Sequence, residues 1–372
     1  MGELHKPVFH SLREFVEAEK VNPEEFDFKL QLDQELWVKH FEAVAGGDVY
    51  TRVRNRKAYE RSAEEIRVCR IASKEPIERY WAYKKGCDRC TFDCDGTADN
   101  GQLELYINWL MREIYRTLWG WMDGYGGDGA LEEKAVSRYG CCGPEYAGFA
   151  LSLSMGPDTM NSMWMPLSNY LVLHYNDLFR WNRNKSTFLY RNKEDEGLTL
   201  PEMIQKYDLK LSDEVKKFAA LTHAMGNMVL VPAGFNPYRG RTFKDYWDLS
   251  LEHLRKSNFL PEEAFVPYIN IFFLWDYAEK DKTVRKLCER EEGGTFPGEK
   301  GCDLFFSNVN GCILNRGKFM HEMLRIALES PERYRQIIRK FSEEKAILSN
   351  ERVSEISGIE YKRFDFCGIL TG

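Results

Sequence analysis

The sequence has no run of apolar residues long enough to cross a membrane, which takes about 18 or more consecutive residues. Its first residues, MGELHKPVFHSLREF, lack the apolar core of a secretory signal, and no Ser or Thr stands where a myristoylation signal carries one. An excess of positive charge is also lacking: 52 Lys and Arg stand against 58 Asp and Glu, which gives a formal net charge of −6, whereas proteins that coat nucleic acid are basic overall. These absences predict a cytoplasmic protein with no membrane partner, and they exclude a general nucleic-acid coat.

Further absences concern repeats and phosphate-binding loops. The sequence contains no internal repeat and no low-complexity tract, and its glycine cluster at residues 123–129 lacks the GxxxxGKS/T pattern of a P-loop. Hydrophobic residues nevertheless make up 43% of the 372-residue chain and aromatic residues 14%, which is enough for a substantial core. A wholly disordered chain and a P-loop nucleotide-binding protein are therefore excluded.

The spacing of apolar residues indicates the fold class. It is mostly helical, and alternating stretches are short, so we predict a mainly α-helical fold, α+β with small β elements. The clearest helix covers residues 103–122. We expect residues 1–149 to form an N-terminal helical part with a Cys-containing loop. We expect residues 150–372 to form a helical core domain that carries the turn between His223 and Asn227.

Three local patterns predict turns, loops and helices along the chain. A turn is predicted at Gly156-Pro157, and a helix is predicted to follow it with Asp158 or Thr159 as its N-cap. In one interpretation, the backbone amides at the start of that helix bind an anion. Residues 290–306 contain Gly and Pro and are predicted to be a loop. Residues 316–341 are predicted to form two helices broken at Ser330-Pro331, with charged residues on exposed faces.

A cysteine cluster suggests a metal site. Cys87, Cys90 and Cys94 are spaced Cys-x2-Cys-x3-Cys, and the first pair allows two thiolates to reach one tetrahedral zinc ion. A fourth ligand is missing locally, and Cys141-Cys142 or a histidine is the candidate to supply it. The alternative is a set of solvated turns. Because the protein is expected in the cytoplasm, its ten cysteines are interpreted as thiols or metal ligands rather than disulfides.

The richest chemistry lies in residues 221–255. A helix that begins at Ser212 is predicted to end near Met225 with Gly226 as its C-cap, and residues 228–231 form an apolar strand candidate. Imidazole, carboxamide and guanidinium groups around that turn suit the binding and polarisation of a phosphate or phosphodiester. The candidate residues are His223 as base or phosphate polariser, Asn227 and Asn236 as catalytic orienters, and Arg239, Arg241 and Lys244 as phosphate contacts.

Turn chemistry offers a structural alternative for the same residues. His223 would cap a helix end, and Asn227 would take a left-handed turn conformation. Arg239 and Arg241 would pair with neighbouring carboxylates. Both interpretations stay open at the level of sequence.

A short motif resembles a nuclease family. The pattern His-x-x-Gly-Asn-x-x-Leu-x5-Asn, followed by a Lys and an aromatic residue, is similar to the second half of the His-Asn endonuclease domain of GmrSD-type restriction enzymes. The matching positions are His223, Gly226, Asn227, Leu230, Asn236 and Lys244. The resemblance implies nuclease chemistry with magnesium or manganese. The family's upstream Asp/Glu-His-Ile-x-Pro motif is absent here, and residues 174–177 (HYND) are the nearest match.

A longer resemblance covers residues 150–280. The ordered series GPDTMNSMW, HAMGNMVLVP, NPYRGR, DYWDLSLEHLR and YINIFFLWDY is similar to a bacterial protein family of unknown function. That family supplies no activity, and its members also carry Gly at the position of Asn227.

Three functions are therefore open. The first is an intracellular bacterial effector or phage-defence protein acting on nucleic acid or nucleotide phosphates as a phosphodiesterase or nuclease. The second is a non-catalytic protein that binds a ligand or a protein partner. The third is a regulator stabilised by a structural zinc ion.

The cysteine motif makes a prediction about metal content. If Cys87, Cys90 and Cys94 bind zinc, the purified chain contains about one zinc ion, because a closed structural site retains its metal. Elemental analysis by mass spectrometry should find this zinc in wild type and in Cys367→Ser. It should be lost in Cys87→Ser/Cys90→Ser, and metal-free wild type would contradict the site.

Overall fold

The structure is a computed structural model. It describes residues 9, 11–19, 21–26, 114–115, 117–119, 146–147, 154–159, 164–182, 187–196, 198, 200–222, 224–232, 235, 245–257, 259–290, 294 and 296–367. For residues 146–147, 154–159, 164, 187 and 200–201 the description covers the backbone alone. The statements that follow refer to these residues.

Helices dominate the described residues. They are α1 (Leu12–Val16), α2 (Trp164–His174), α3 (Leu200–Tyr207), α4 (Asp213–Leu221), α5 (Trp247–Lys256), α6 (Phe265–Ile271), α7 (Glu299–Glu329), α8 (Pro331–Glu343) and α9 (Asn350–Ser357). Short 3-10 helices cover Lys193–Asp195, Met225–Asn227, Glu262–Ala264 and Trp275–Tyr277. Of the predicted 103–122 helix, residues 114–115 and 117–119 are described and are helical. None of the described helices is both long and apolar enough for a bilayer crossing.

Strands form two small antiparallel sheets. One has the order β1-β2-β5, with β1 at Tyr146–Ala147, β2 at Ser154–Thr159 and β5 at Met228–Pro232. The other pairs β3 (Phe179–Asn182) with β4 (Thr187–Tyr190). The mainly α-helical fold with small β elements is therefore confirmed, and so is the apolar strand predicted at residues 228–231.

The turn predicted at Gly156-Pro157 is wrong. Both residues lie inside β2, where Gly156 faces Val231 and Pro157 faces Leu230, and helix α2 begins only at Trp164. Asp158 and Thr159 likewise lie in β2. Local turn preference is overridden here because the apolar strand β5 provides a partner far along the chain, and such pairing is invisible in a local pattern.

Helix α7 is the long central element. It runs for 31 residues and begins at Glu299, inside the stretch predicted to be a loop, so that part of the prediction is wrong. Glycines made residues 290–306 resemble a loop. Gly301 nevertheless lies within the helix and faces close neighbours, as do Gly311 and Gly317 further along it. The break predicted at Ser330-Pro331 is confirmed, with Pro331 at the first position of α8, where its missing N–H is tolerated.

Residues on both sides of the predicted domain boundary contact each other. The indole Nε1 of Trp119 donates to Ile271 O at 3.0 Å, and the Tyr334 hydroxyl donates to Leu118 O. The imidazole Nε2 of His321 lies 3.0 Å from Val16 O. The division at residue 149 stays a prediction, but the described residues before it share a core with α6, α7 and α8.

Gly226 marks the closest approach to α7. A β-carbon built on this residue would lie 1.9 Å from Ile313 O and 2.9 Å from Gly317 N, both backbone atoms of the helix. Only glycine allows the 225–227 turn to lie directly against the helix backbone. Gly226 is therefore a packing residue rather than the C-cap predicted, and α4 ends earlier, at Leu221.

We predict that Gly226→Ala lowers the free energy of unfolding by about 2 to 3 kcal/mol, because the added methyl group forces two backbones apart. Chemical denaturation monitored by circular dichroism measures the change. Gly298→Ala is the matched control, since a β-carbon there meets nothing within 4 Å, and it should change stability by less than about 1 kcal/mol. Equal effects from the two substitutions would contradict the close approach.

Candidate functional site

The candidate site begins where helix α4 ends. Ser212 caps the start of α4 by accepting a hydrogen bond from Val215 N at 3.3 Å, as its sequence pattern predicts. At the other end, Thr222 is buried and its hydroxyl donates to Phe218 O at 2.9 Å. The chain then passes through His223, which lies outside the described residues, to the buried Ala224. The chain then turns sharply and leads from α4 into β5.

Asn227 holds this turn together from inside the core. It has no solvent exposure, and its Nδ2 donates to Thr222 O at 2.6 Å. Its Oδ1 accepts a hydrogen bond from Trp247 Nε1 at 2.7 Å. The carboxamide therefore closes the turn and joins it to the first residue of α5. Its backbone is not left-handed, so the turn conformation considered from sequence is absent at this residue.

A buried arginine of α7 collects the carbonyl groups of the same turn. Arg316 is 1% exposed, and its Nη1 lies 2.8 Å from Gly226 O, 2.8 Å from Met228 O and 3.3 Å from Met225 O. Its Nε donates to Phe272 O at 2.9 Å, just after α6. Burial lowers the pKa of Arg316, since a charge away from water is disfavoured. Four carbonyl oxygens around Nε and Nη1 compensate for part of that loss of hydration and tie the turn, α6 and α7 together.

Arg316 corrects a sequence prediction. The charged residues of the 316–341 helices were expected on exposed faces, and for Arg316 this is wrong. Its position relative to Cys312, Ile313 and Met320, which are all buried, places it on the apolar stripe of α7. This helical spacing is the signal that could have identified a buried arginine.

A buried ion pair fixes the start of α5. Asp248 and Arg290 have side chains 4% and 8% exposed, and they form two hydrogen bonds, Nη1 to Oδ2 at 2.6 Å and Nη2 to Oδ1 at 3.1 Å. Asp248 also accepts from Leu287 N at 3.1 Å. Burial acts to lower the pKa of Arg290, but the attraction of Asp248 together with smaller contributions from Cys288 and Tyr246 raises that pKa overall. This paired geometry is strong and directional, so it sets where α5 begins.

Buried aromatic residues stand on both sides of residues 236–244, which separate the turn from α5 in the sequence. Phe235 is fully buried and lies 5.5 Å from the ring of Phe259 in an edge-on arrangement. Tyr246 is also fully buried, with its ring 4.7 Å from that of Phe305. The hydrogen bond from Trp247 to Asn227 joins residues 20 positions apart in the chain, one before and one after this segment.

Most of the predicted site residues lie outside the described residues. This holds for His223, Asn236, Arg239, Arg241 and Lys244 of the central segment, and for Cys87, Cys90 and Cys94 of the cysteine motif. Their roles stay predictions. Asn227 is described, and its contacts favour a structural role in the turn; whether it also takes part in chemistry stays a prediction.

The described part of the chain holds no cluster of metal ligands, and three of its four free thiols are buried. There, no group of three or more His, Cys, Asp or Glu side chains is arranged to hold a metal ion. Cys288, Cys302, Cys312 and Cys367 are free thiols, and the first three are buried. Burial raises the pKa of Cys288 to about 12, and it also raises the pKa of the other two buried thiols. These three groups stay protonated near neutral pH and suit packing rather than nucleophilic attack.

His174 lies away from the turn, at the end of α2. Its ring stacks at 4.3 Å from Tyr170, and its Nε2 lies 3.6 Å from the Asp303 carboxylate. This is a partly buried histidine beside an exposed carboxylate. It contacts none of the described residues of the turn, so we assign it no role in the candidate site.

We predict that Asn227→Ala lowers the free energy of unfolding by about 2 to 4 kcal/mol, because it leaves the Trp247 N–H and the Thr222 carbonyl buried without this partner. Denaturant titration followed by tryptophan fluorescence measures the loss. Asn176→Ala, at an exposed position, should stay within about 0.5 kcal/mol of wild type. An Asn227→Ala chain as stable as wild type would contradict the structural role.

Comparison with known proteins gives no relative from which a role could be carried over. No family model, no curated protein and no solved structure matches the chain. The two family resemblances noted from sequence therefore stay predictions. What can be said of the site rests on the contacts described above.

Proposed function

We propose that the chain acts on the phosphate groups of a nucleic acid or nucleotide, as an intracellular effector or defence-type protein. In this proposal Arg239, Arg241 and Lys244 contact the phosphates. His223 serves as general base or phosphate polariser, and Asn236 orients the bound group. Asn227 acts from the core as a positioning residue.

One observation carries the proposal: the chain is fixed on both sides of the segment between β5 and α5. The Asn227–Trp247 hydrogen bond joins residues before and after this segment at 2.7 Å, and the Asp248–Arg290 pair fixes the start of α5. All three predicted phosphate contacts lie between Asn227 and Trp247 in the sequence, and His223 precedes Asn227 by four positions. A segment whose ends are fixed loses less conformational entropy on binding, which favours recognition of a ligand.

The charge of the segment supports a phosphate ligand. Residues 236–244, NPYRGRTFK, contain two arginines and one lysine and no acidic residue, although the chain as a whole has a net charge of −6. Guanidinium groups bind phosphate through paired hydrogen bonds, and a local cluster attracts an anion over short range even on an acidic protein.

A binding protein without catalysis is the second candidate. It is favoured by the contacts of Asn227, whose Nδ2 and Oδ1 both make hydrogen bonds within the core, so that an orienting role in chemistry must rest on Asn236 alone. The two candidates share the phosphate contacts and differ in His223. Binding and cleavage therefore need separate measurements.

The binding test compares wild type with the Arg239→Ala/Arg241→Ala/Lys244→Ala variant on fluorescent single-stranded DNA and RNA. We expect the variant to bind at least about ten-fold more weakly, with the slope of log Kd against log salt reduced by about 2, since each lost phosphate contact removes about 0.7. The matched control is Arg335→Ala/Arg339→Ala/Lys340→Ala, which removes the same charges from exposed positions of α8. Equal weakening in both variants would show a general charge effect and would contradict the assignment.

The cleavage test uses the same substrates with magnesium or manganese. Removing a general base should slow cleavage by about 10²- to 10⁴-fold in His223→Ala while leaving phosphate-dependent binding within about two-fold. Absence of cleavage in wild type, together with intact binding, would favour the binding protein. Equal cleavage by wild type and His223→Ala would exclude His223 as the base.

A further inference from the structure

A row of residues on helix α7 faces a segment of the chain that has neither helix nor strand. Asn308, Gly311 and Asn315 are three and four positions apart and so lie on one face of the helix. Residues 361–367 run antiparallel to this face, with Lys362 at Asn315, Phe364 at Gly311 and Cys367 at Asn308. We call the surface formed by Asp276, Arg285, Asn308, Gly311 and Asn315 the α7 groove, and residues 361–367 the docked segment.

The α7 groove contacts the backbone of the docked segment. Asn308 accepts a hydrogen bond from Cys367 N at 2.8 Å, and its Nδ2 lies 3.4 Å from Cys367 O. Asn315 Nδ2 donates to Lys362 O at 3.0 Å. Backbone groups are common to all peptides, so these contacts recognise a chain direction and register rather than particular side chains.

The middle of the docked segment is held on both sides. Phe364 N donates to the Asp276 carboxylate at 2.7 Å, and Phe364 O accepts from Arg285 Nη1 at 3.2 Å. Asp276 is buried, and burial raises the pKa of its carboxyl group. The side chains that bind the main chain of Phe364 therefore come from the 3-10 helix Trp275–Tyr277, in the case of Asp276, and from the chain that follows it, in the case of Arg285.

Two aromatic rings of the docked segment contact residues of the α7 groove. The Phe364 ring occupies the notch at Gly311, where a β-carbon would come within 2.2 Å of its Cζ atom. The Phe366 ring lies under the guanidinium of Arg285, with 3.7 Å from Cζ of the arginine to the ring centroid. Such stacking favours an aromatic residue over an aliphatic one. Between them, Asp365 is exposed and contributes no core contact.

The α7 groove is organised by contacts that do not involve the docked segment. Asn315 Nδ2 lies 2.9 Å from Asp276 Oδ2, and Asn308 Nδ2 donates to Leu287 O at 2.9 Å. Arg285 Nη1 donates to Asp276 O at 2.9 Å. Receptor groups that are held in place before binding reduce the entropy cost of recognising a ligand.

We propose that the α7 groove is a peptide-recognition site for a short segment with Phe-x-Phe, and that residues 361–367 are its ligand within the same chain. The groove also accepts this segment when a second copy of the chain, or a peptide of the same sequence, supplies it. Because the docked segment is tethered to the groove, its effective concentration is in the millimolar range. Binding of a separate peptide therefore becomes measurable when the contacts of the docked segment are weakened. The proposal does not depend on the phosphate-binding function.

The first test measures binding of a fluorescent peptide with the sequence of residues 359–367, carrying Ser in place of Cys367, to three full-length chains. Phe364→Ala/Phe366→Ala weakens the tethered segment and should bind the peptide at least ten-fold more tightly than wild type. Adding Gly311→Ala to that variant should weaken binding at least ten-fold, because the methyl group fills the notch. A peptide with Ala at both Phe positions is the control.

Equal affinity for the three chains, or for the two peptides, would overturn the proposal, and so would a folded Phe364→Ala/Phe366→Ala chain that does not bind. A second test does not require the Phe364→Ala/Phe366→Ala chain to fold. Trypsin cleavage after Lys362 and Arg363, followed by mass spectrometry, should be about ten-fold faster in Gly311→Ala than in wild type.

The matched background is Phe364→Ala, in which the ring that clashes with the new methyl group is gone. There, Gly311→Ala should change the cleavage rate by less than two-fold. Unchanged cleavage in Gly311→Ala alone, or the same acceleration in both backgrounds, would contradict the fit of Phe364 into the notch.

Discussion

The guanidinium of Arg316 is the interaction on which the described structure depends. It is a full charge inside the core, and its described hydrogen bonds go to backbone carbonyls at residues 225, 226, 228 and 272. A buried charge is tolerated only when hydrogen bonds replace its hydration, and so the backbone must bring these carbonyls together. The path of the chain from α4 into β5, and its distance from α6 and α7, follow from that requirement.

The turn at Asn227 and the α7 groove are connected through one structural element. Phe364 N bonds to Asp276, and the neighbouring Tyr277 ring stacks on Trp247 at 4.4 Å with an angle of 15° between the planes. Trp247 in turn donates to Asn227 in the turn. The 3-10 helix at residues 275–277 therefore contacts the α7 groove on one side and, through Trp247, the turn on the other.

Local patterns predicted some of the fold and misplaced the rest. Ser212 capping α4, the apolar strand β5 and the break at Pro331 were all recognisable, because each depends on neighbours a few residues away. The start of α7 was missed, since its glycines resemble a loop until the neighbours that require them are known. For the candidate site, the sequence indicated which segment is rich in chemistry, but the contacts of Asn227 could not be read from it.

What the sequence by itself determined is the mainly helical class, the balance of apolar residues that forms the core and the concentration of cations at residues 236–244. Only the tertiary structure decided that Arg316 is a core residue, that Asn227 closes a turn and that residues 361–367 fill a groove. Helical and strand periodicity acts over a few positions, so one sequence window reveals it. The partners of Arg316 in the turn are 88 to 91 residues away, and proximity over such distances exists only once the chain has folded.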